Sequence, residues 1–275
     1  MTKRILELFS GTHSFGKIAH EMGYEVYSLD KFLPAYDKLD KERKYESKHH
    51  FQEDIMTWDY KKFPVGFFDI IHASPECRYW SKLRMCWIGR KFKGSDEVVT
   101  KETLQRDIDK YGKPQVDKVL EIITYFDPKY WIIENPKSSS MKNYIHYLPS
   151  YVVDYCKYSN YGYKKSTRFW TNIKNFTPKI CKNDCDNIMI NDQKKHIERI
   201  GVSKIVKDDG KLIYVDTKEL REKYKDYPNR YKIHKVVMGG ASDILKKGQK
   251  YGSSKRLMRY RIPSQLIKEL LICCE

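Results

Sequence analysis

The sequence predicts an α/β fold: a parallel sheet with helices on both faces, carrying a smaller insert. Three observations lead there. Short apolar runs alternate with amphipathic helical stretches through the first half of the chain, as crossover-connected parallel strands require. The unusual polar residues gather at the carboxyl ends of those runs, where open sheets of this kind bind ligands. The chain has 275 residues, 40% of them apolar, enough for one large domain or a domain plus a small insert.

In chain order, "RILELFS" (4–10) is a short strand ending at Gly11. "SFGKIAHEMGY" is a helix with Phe15, Ile18, Ala19 and Met22 on one stripe and Gly23 as its stop. "EVYSLD" is the second strand, and "HHFQEDI" leads to a third strand end at Asp54. The charged stretch 38–48 between them reads as a solvated helix or loop. "FDIIHAS" (68–74) is the fourth strand. "PQVDKVLEIITYFDP" is a helix with Val116, Val119, Leu120, Ile123 and Phe126 on one face, opened by Pro114 and followed by Pro128. "YWIIENP" is a fifth strand that ends in a polar turn, and "SYVVDYC" and "TRFWTNI" read as two more. From about 175 to 233 the rhythm is lost, and Lys, Asp, Asn and two close cysteines dominate, which marks the insert. "RIPSQLIKELLICC" is an amphipathic helix opened by Pro263, with Leu266, Ile267, Leu270 and Leu271 expected to pack back on the main sheet.

Lys and Arg number 53 against 36 Asp and Glu, a net charge of +17. That balance is the electrostatic footprint of a nucleic-acid-binding chain, although a Lys-, Tyr-, Ile- and Asn-rich composition also follows from an AT-rich genome. No apolar run approaches the ~20 residues of a membrane span. "MTKRILELFS" is charged too early for a secretory leader. A soluble, intracellular, monomeric protein with no membrane partner is expected. The seven irregularly spaced cysteines point to thiols or metal ligands rather than disulfides, and Cys273 and Cys274 receive no role.

Three motifs carry chemistry. In "LELFSGTHSFG" a glycine turn from strand to helix lets a cofactor approach the backbone and the helix N-terminus. Asp30 lies about 20 residues on, where a ribose hydroxyl needs an acceptor. The pattern fits a nicotinamide cofactor or S-adenosylmethionine, and His13 stands where the dinucleotide fingerprint has its second glycine. In "ASPECRYWS" Cys77 sits after Pro75, between Glu76 and Arg78. As a nucleophile it needs a thiolate, which Arg78 favours and Glu76 opposes; the alternative is a small apolar residue in a turn. In "IIENP" the Glu134 carboxylate emerges from a buried strand into a turn, which is costly unless it has a role; the alternative is a helix-capping or turn residue.

The ordered set "FSGT…FG", Asp30, "EDI", "ASPEC" and "IENP" resembles the cytosine-5 DNA methyltransferases, above all their short phage and viral members. "YCKYSNYGYKKSTRFWTN" (155–172) resembles a stretch of the phage-like members, and "RIPSQL" resembles their closing Ile-Pro-x-x-Leu. The likeness covers about 4–173 and 255–272. It implies a Rossmann-like S-adenosylmethionine-dependent methyltransferase sheet with a small irregular target-recognition insert. The expected division is a catalytic and cofactor-binding domain at 1–173, the insert at 174–236 and a C-terminal segment at 237–275 that packs back. The resemblance implies that Cys77 adds to C6 of a flipped cytosine and Glu134 binds its N3 and N4 edge, with Thr167 and Arg168 as polar groups around the base. It places Phe9, Gly11, Thr12, Ser14 and Phe15 on the methionine side of the cofactor, Asp30 on the ribose, and Asp54 and Ile55 on the adenine. Ser74 and Pro75 complete the cofactor set. DNA is the expected partner, with RNA open; whether a restriction enzyme accompanies the protein is left open.

Three positions depart from the family pattern: Glu76 replaces a proline before the cysteine, His13 replaces a glycine, and "VMGGASDI" (237–244) is a poor match to a late Gly-Asn motif. Amino-group methylation at cytosine N4 or adenine N6, RNA methylation and an inactive DNA-binding scaffold are therefore kept as alternatives. Cys181 and Cys185 in "CKNDC" have finger-like spacing, and Cys156 and His196 could complete a structural zinc site; two surface thiols are the alternative. The stretches "YGYKKSTR", "NRYKIHK" and "SSKRLMRYR" offer cations for phosphates and rings for bases. The loop with Arg84, Arg90, Lys91 and Lys93 is expected to close over the flipped base.

Overall fold

Runs of β-branched and aromatic residues form the seven strands of the main sheet: β1 (Arg4–Leu8), β2 (Glu25–Leu29), β3 (His49–Phe51), β4 (Ile70–Ala73), β5 (Tyr130–Pro136), β6 (Ser150–Asp154) and β7 (Ser166–Thr171). This computed structural model describes residues 2–32, 47–92, 94–188, 196, 203–206, 212–215, 218–225 and 260–275. Lys93, "NRYKIHK", "VMGGASDI", and most of the stretch 38–48 and of "SSKRLMRYR" lie outside the described residues.

The strand order is β3-β2-β1-β4-β5-β7-β6. β1 to β5 pair in parallel, as alternation with helices predicts. The sheet is mixed rather than wholly parallel, because β7 runs antiparallel to both β5 and β6. The link from β6 to β7 is short and holds only a 3₁₀ turn at Tyr155–Lys157. A parallel return needs a longer crossover, so the chain turns back on itself.

The pleat sends alternate residues to opposite faces. On one face Ile5, Val26, Ile70 and Ile132 pack against α1 (Ser14–Glu21) and the C-terminal helix. On the other, Leu6, Tyr27, Ile71 and Ile133 meet the long helix that precedes β5. That helix is one run: α3 (Lys101–Asp107), a π turn at Ile108–Gly112, and α4 (Lys113–Phe126), with α2 (Cys77–Trp80) ahead of it. Pro114 stands in the first turn of α4, as its pattern predicts, but the helical run begins further upstream, at Lys101. The wider π turn omits an amide bond that proline cannot donate. Gly112 is needed there, since a Cβ would stand 3.0 Å from the Trp80 indole. Val116, Val119, Ile122 and Phe126 are the fully buried stripe, flanked by half-buried Leu120 and Ile123.

Past β5 a single turn, α5 (Met141–Tyr144), leads to β6. Within 174–236 the described residues include an antiparallel pair, β8 (Ser203–Val206) and β9 (Leu212–Val215), and a short helix, α6 (Lys218–Lys223). α7 (Ser264–Ile272) starts after Pro263 and buries Leu266, Ile267, Leu270 and Leu271 completely, as its pattern predicts. No helix among the described residues is long and apolar enough to cross a membrane.

Candidate active site

β1 has β2 on one side and β4 on the other, so the chain reverses direction across the sheet at β1, and the carboxyl ends of the strands flanking this point are where sheets of this kind bind ligands. The loop leaving β1 is bent at alternate residues: Phe9, Gly11 and His13 all have left-handed backbone, with φ of 57°, 48° and 53°. Such geometry at a phenylalanine is strained and persists only where surroundings enforce it. Asp30 enforces part of it. Its carboxylate accepts from the amides of Gly11 and Phe32, both at 2.9 Å. Burial holds this carboxyl above the usual aspartate range, against the pull of the two amides. The Ser10 hydroxyl in the same loop is buried with no partner among the described residues. Gly16 brings α1 onto β1, for a Cβ would lie 2.5 Å from Glu7 Oε2.

His13 points inward. It is buried, with Nδ1 3.5 Å from Glu7 Oε2. Glu7 stands in a polar row across the α1 face, opposite His72 and Ser28, with His50 next to Ser28. His72 stacks on Phe15 with ring centroids 4.1 Å apart, and burial pushes its imidazole down to about 4, so it is neutral. Phe15 thus lies in the core beneath the loop. Ser14 Oγ accepts from the Ile262 amide, which brings the C-terminal segment to the loop. Asp54 pairs with Lys31 at 2.7 Å, which lowers its carboxyl pKa, and Ile55 beside it is buried.

Cys77 and Glu134 emerge from the neighbouring strands β4 and β5. Burial pushes the Cys77 thiol up, and Glu134 pushes it further; Lys165 acts the other way. The Glu134 carboxylate accepts from Tyr155 OH at 3.2 Å, and Lys165 Nζ lies 4.0 Å from the same oxygen. Asn135 Nδ2 donates to Pro75 O at 3.0 Å, tying the two turns together. Ser74 is held to β1 through its amide. Glu76 is accounted for: Arg78 Nε lies 2.7 Å from one oxygen and Gln115 donates to the other at 3.0 Å. Arg78 spends its charge there, so Lys165, not Arg78, is the cation that favours the thiolate.

The whole sequence carries the deciding likeness. Over 275 aligned residues, covering 98% of this chain and 100% of the relative, it is 35% identical to the "Probable DNA (cytosine-5)-methyltransferase" of Frog virus 3 (isolate Goorha). The chain belongs to the DNA (cytosine-5)-methyltransferase family. Solved structures similar to this methyltransferase include the Dnmt2 methyltransferase of S. pombe, at 14% identity over 99% of this chain and 98% of that one, with a TM-score of 0.45. Another is the Entamoeba histolytica methyltransferase EhMeth, at 11% identity over 100% and 98%, with a TM-score of 0.48. No family model matches the sequence.

In this methyltransferase the Rossmann-like sheet brings the β1–α1 loop, Asp30, Cys77 and Glu134 to the same edge, at the carboxyl ends of its parallel strands. Thr167 shares the face of Phe169, opposite Glu134 in the ladder, and is fully buried. Arg168 alternates to the other face, where it donates to Ser150 Oγ at 2.6 Å and lies over Trp170. Arg84 is not available to cover a base: it is buried in an ion pair with Asp107. Lys91 pairs with Asp96 at 2.7 Å, and Arg90 remains exposed. Cys156, Cys181, Cys185 and His196 do converge, with their ligand atoms within 4.8 Å of one another. Sequence reading missed Tyr155, Lys165, Asn135 and Gly16. The Lys-x-Thr spacing of 165–167 was the available signal for Lys165.

Proposed function

We propose that this chain methylates C5 of cytosine in DNA, with Cys77 as nucleophile and S-adenosylmethionine as methyl donor. The observation that carries the reading is the meeting of Cys77 and Glu134 at adjacent strand ends beside the Asp30-braced loop. The loop fits the cofactor. Ser10 offers an unpartnered buried hydroxyl, and a carboxylate such as Asp30 has acceptor sites beyond the two amides it already serves. His13, turned toward Glu7, leaves the crevice clear. When bound, the cofactor supplies an electrophilic methyl group. Phe9, Gly11, Thr12 and Ser14 would hold its methionine part over the packed ring of Phe15. Asp30 would take the ribose, Asp54 and Ile55 the adenine, with Ser74 and Pro75 between cofactor and base.

A cytosine inside a duplex is out of reach, so the base must be flipped into the crevice. Cys77 as thiolate adds to C6, forming the S–C6 bond and placing electron density on C5. Glu134 accepts from N4–H and shares a proton with N3, favouring the protonated, electron-poor ring and easing that addition. C5 takes the methyl group, then loses its proton, and Cys77 leaves as thiolate to restore the aromatic base. Thr167 lies on the base side; Arg168 supports β7 from behind. Residues 174–236 are assigned to reading the target sequence.

Tritiated methyl transfer to duplex DNA tests the reading, with Cys77→Ala as control. The wild type should label DNA and the variant should not; label that survives the substitution sinks the mechanism. Nucleoside mass spectrometry should find 5-methylcytosine. N4-methylcytosine or N6-methyladenine would favour amino-group transfer, against which stands Tyr79, stacked on Tyr111 at 5.3 Å. Cofactor binding with no transfer to DNA or RNA would favour an inactive scaffold.

A further inference from the structure

We infer that Cys156, Cys181, Cys185 and His196 form a structural zinc site that fastens the segment after β7 to the wall of the crevice. His196 Nε2 lies 3.4 Å from Cys185 Sγ and 3.6 Å from Cys181 Sγ. Zinc bonds of about 2.3 Å to sulfur and about 2.0 Å to nitrogen, at a tetrahedral angle, put the two donors about 3.5 Å apart. The backbone is shaped for thiolates as well. Asn183 is left-handed, with φ of 63°, and turns the loop so that the Asn183 and Asp184 amides reach Cys181 Sγ while the Asn187 amide reaches Cys185 Sγ. Three thiolates and one imidazole select zinc over the oxygen-bound cations. Cys156, Cys181 and His196 are buried, so the site is closed, as a structural rather than a catalytic metal requires. Three thiolates around a divalent ion leave one negative charge. Lys164 Nζ, bonded to Cys181 O at 2.7 Å, and Lys157, paired with Asp184 at 3.3 Å, lie beside it.

The site links two parts of the chain that are far apart in sequence. Cys181 N donates to Asp154 at the end of β6, at 2.8 Å. Asn187 Nδ2 donates to Cys156 O at 2.9 Å and Ser159 O at 2.7 Å. Cys156 directly follows Tyr155, the hydroxyl donor to Glu134. The metal thus braces the residue that orients the carboxylate, and it anchors the start of the insert.

The test is metal content by plasma mass spectrometry on untagged, full-length protein. One zinc per chain is expected, released when a mercurial reagent titrates the thiols. Cys181→Ser with Cys185→Ser should lose the metal, and Cys86→Ser should keep it. Should the double variant not fold, wild type loaded with cobalt gives the second readout: a thiolate-to-cobalt charge-transfer band and tetrahedral d–d bands, both removed by zinc. Substoichiometric metal after incubation with excess zinc, full zinc in a folded double variant, or a Cys181–Cys185 disulfide in freshly reduced protein would each overturn the inference.

Discussion

Replacing Tyr155 by Phe removes one oxygen and little else. The ring is completely buried among the residues on the α1 side of the sheet, and phenylalanine fills the same space. What is lost is the hydrogen bond to Glu134 Oε1 and the hydroxyl's contact with the Thr167 side chain. Such bonds to a charged acceptor contribute about 1.5–3 kcal/mol. At 3.2 Å this one is longer than a strong charge-assisted bond, so the lower end, about 1.5 kcal/mol, applies. That is about a tenfold loss of rate if Tyr155 orients the carboxylate in the transition state. Single-turnover methyl transfer at saturating DNA and cofactor reads it directly. The rate should fall about tenfold while cofactor affinity by calorimetry and the melting temperature stay near wild type. Lys165 approaches the same oxygen, so Lys165→Met combined with Tyr155→Phe should depart from additivity. An unchanged single-turnover rate, or a loss matched by weaker cofactor binding and a lower melting temperature, would refute a positioning role.

Because burial and Glu134 raise the Cys77 pKa, the thiolate fraction grows as pH rises toward that raised value, and single-turnover rates should climb from neutral into alkaline pH; a flat profile would mean that thiol deprotonation does not limit the step. Gly16→Ala sets a methyl group 2.5 Å from Glu7 Oε2 and 3.0 Å from Val26, so urea titration should show a loss of about 1–3 kcal/mol, with weaker cofactor binding as α1 shifts; wild-type stability would show that the helix yields freely. Arg84→Ala leaves the half-buried Asp107 without its partner and should cost about 1–3 kcal/mol of stability, whereas Arg90→Ala should leave stability unchanged and lower the salt slope of DNA binding by about one; the reverse outcome would exchange their assignments.

The gathering of the candidate site residues was legible because they sit at strand ends, and strand ends can be read from local pattern. Gly11, Asp30, Cys77 and Glu134 each follow an apolar run, and the rule for open sheets gathers them on one edge. The direction of β7 was not legible: "TRFWTNI" has the same alternation whichever way it pairs, and only the short link from β6 decides. The helix upstream of Pro114 was not read, because proline marks a helix start in the linear pattern and the π turn that carries the run past it has no such signal. Glu76 and His13 drew attention as departures from the family pattern, and Arg84 as one cation of a loop expected to cover the base. Their partners, Gln115, Asp107 and Glu7, are ordinary residues in sequence and become partners only when the elements pack.

By itself the sequence determined the seven strands of the main sheet, the helices α1, α4 and α7 with most of their buried residues, and the order of polar groups along the sheet edge; the fully buried Ile122 of α4 and the helix α3 ahead of it were not read. Periodicity and turn chemistry are local, and they act before any long-range contact forms. The tertiary structure alone decided which carboxylate holds which cation. It turned His13 toward Glu7, gave Tyr155 and Lys165 to Glu134, and drew Cys156 toward Cys181, Cys185 and His196. Those outcomes depend on register and on helices laid across the sheet. Pairs so distant along the chain carry no periodic signal that a linear reading can detect.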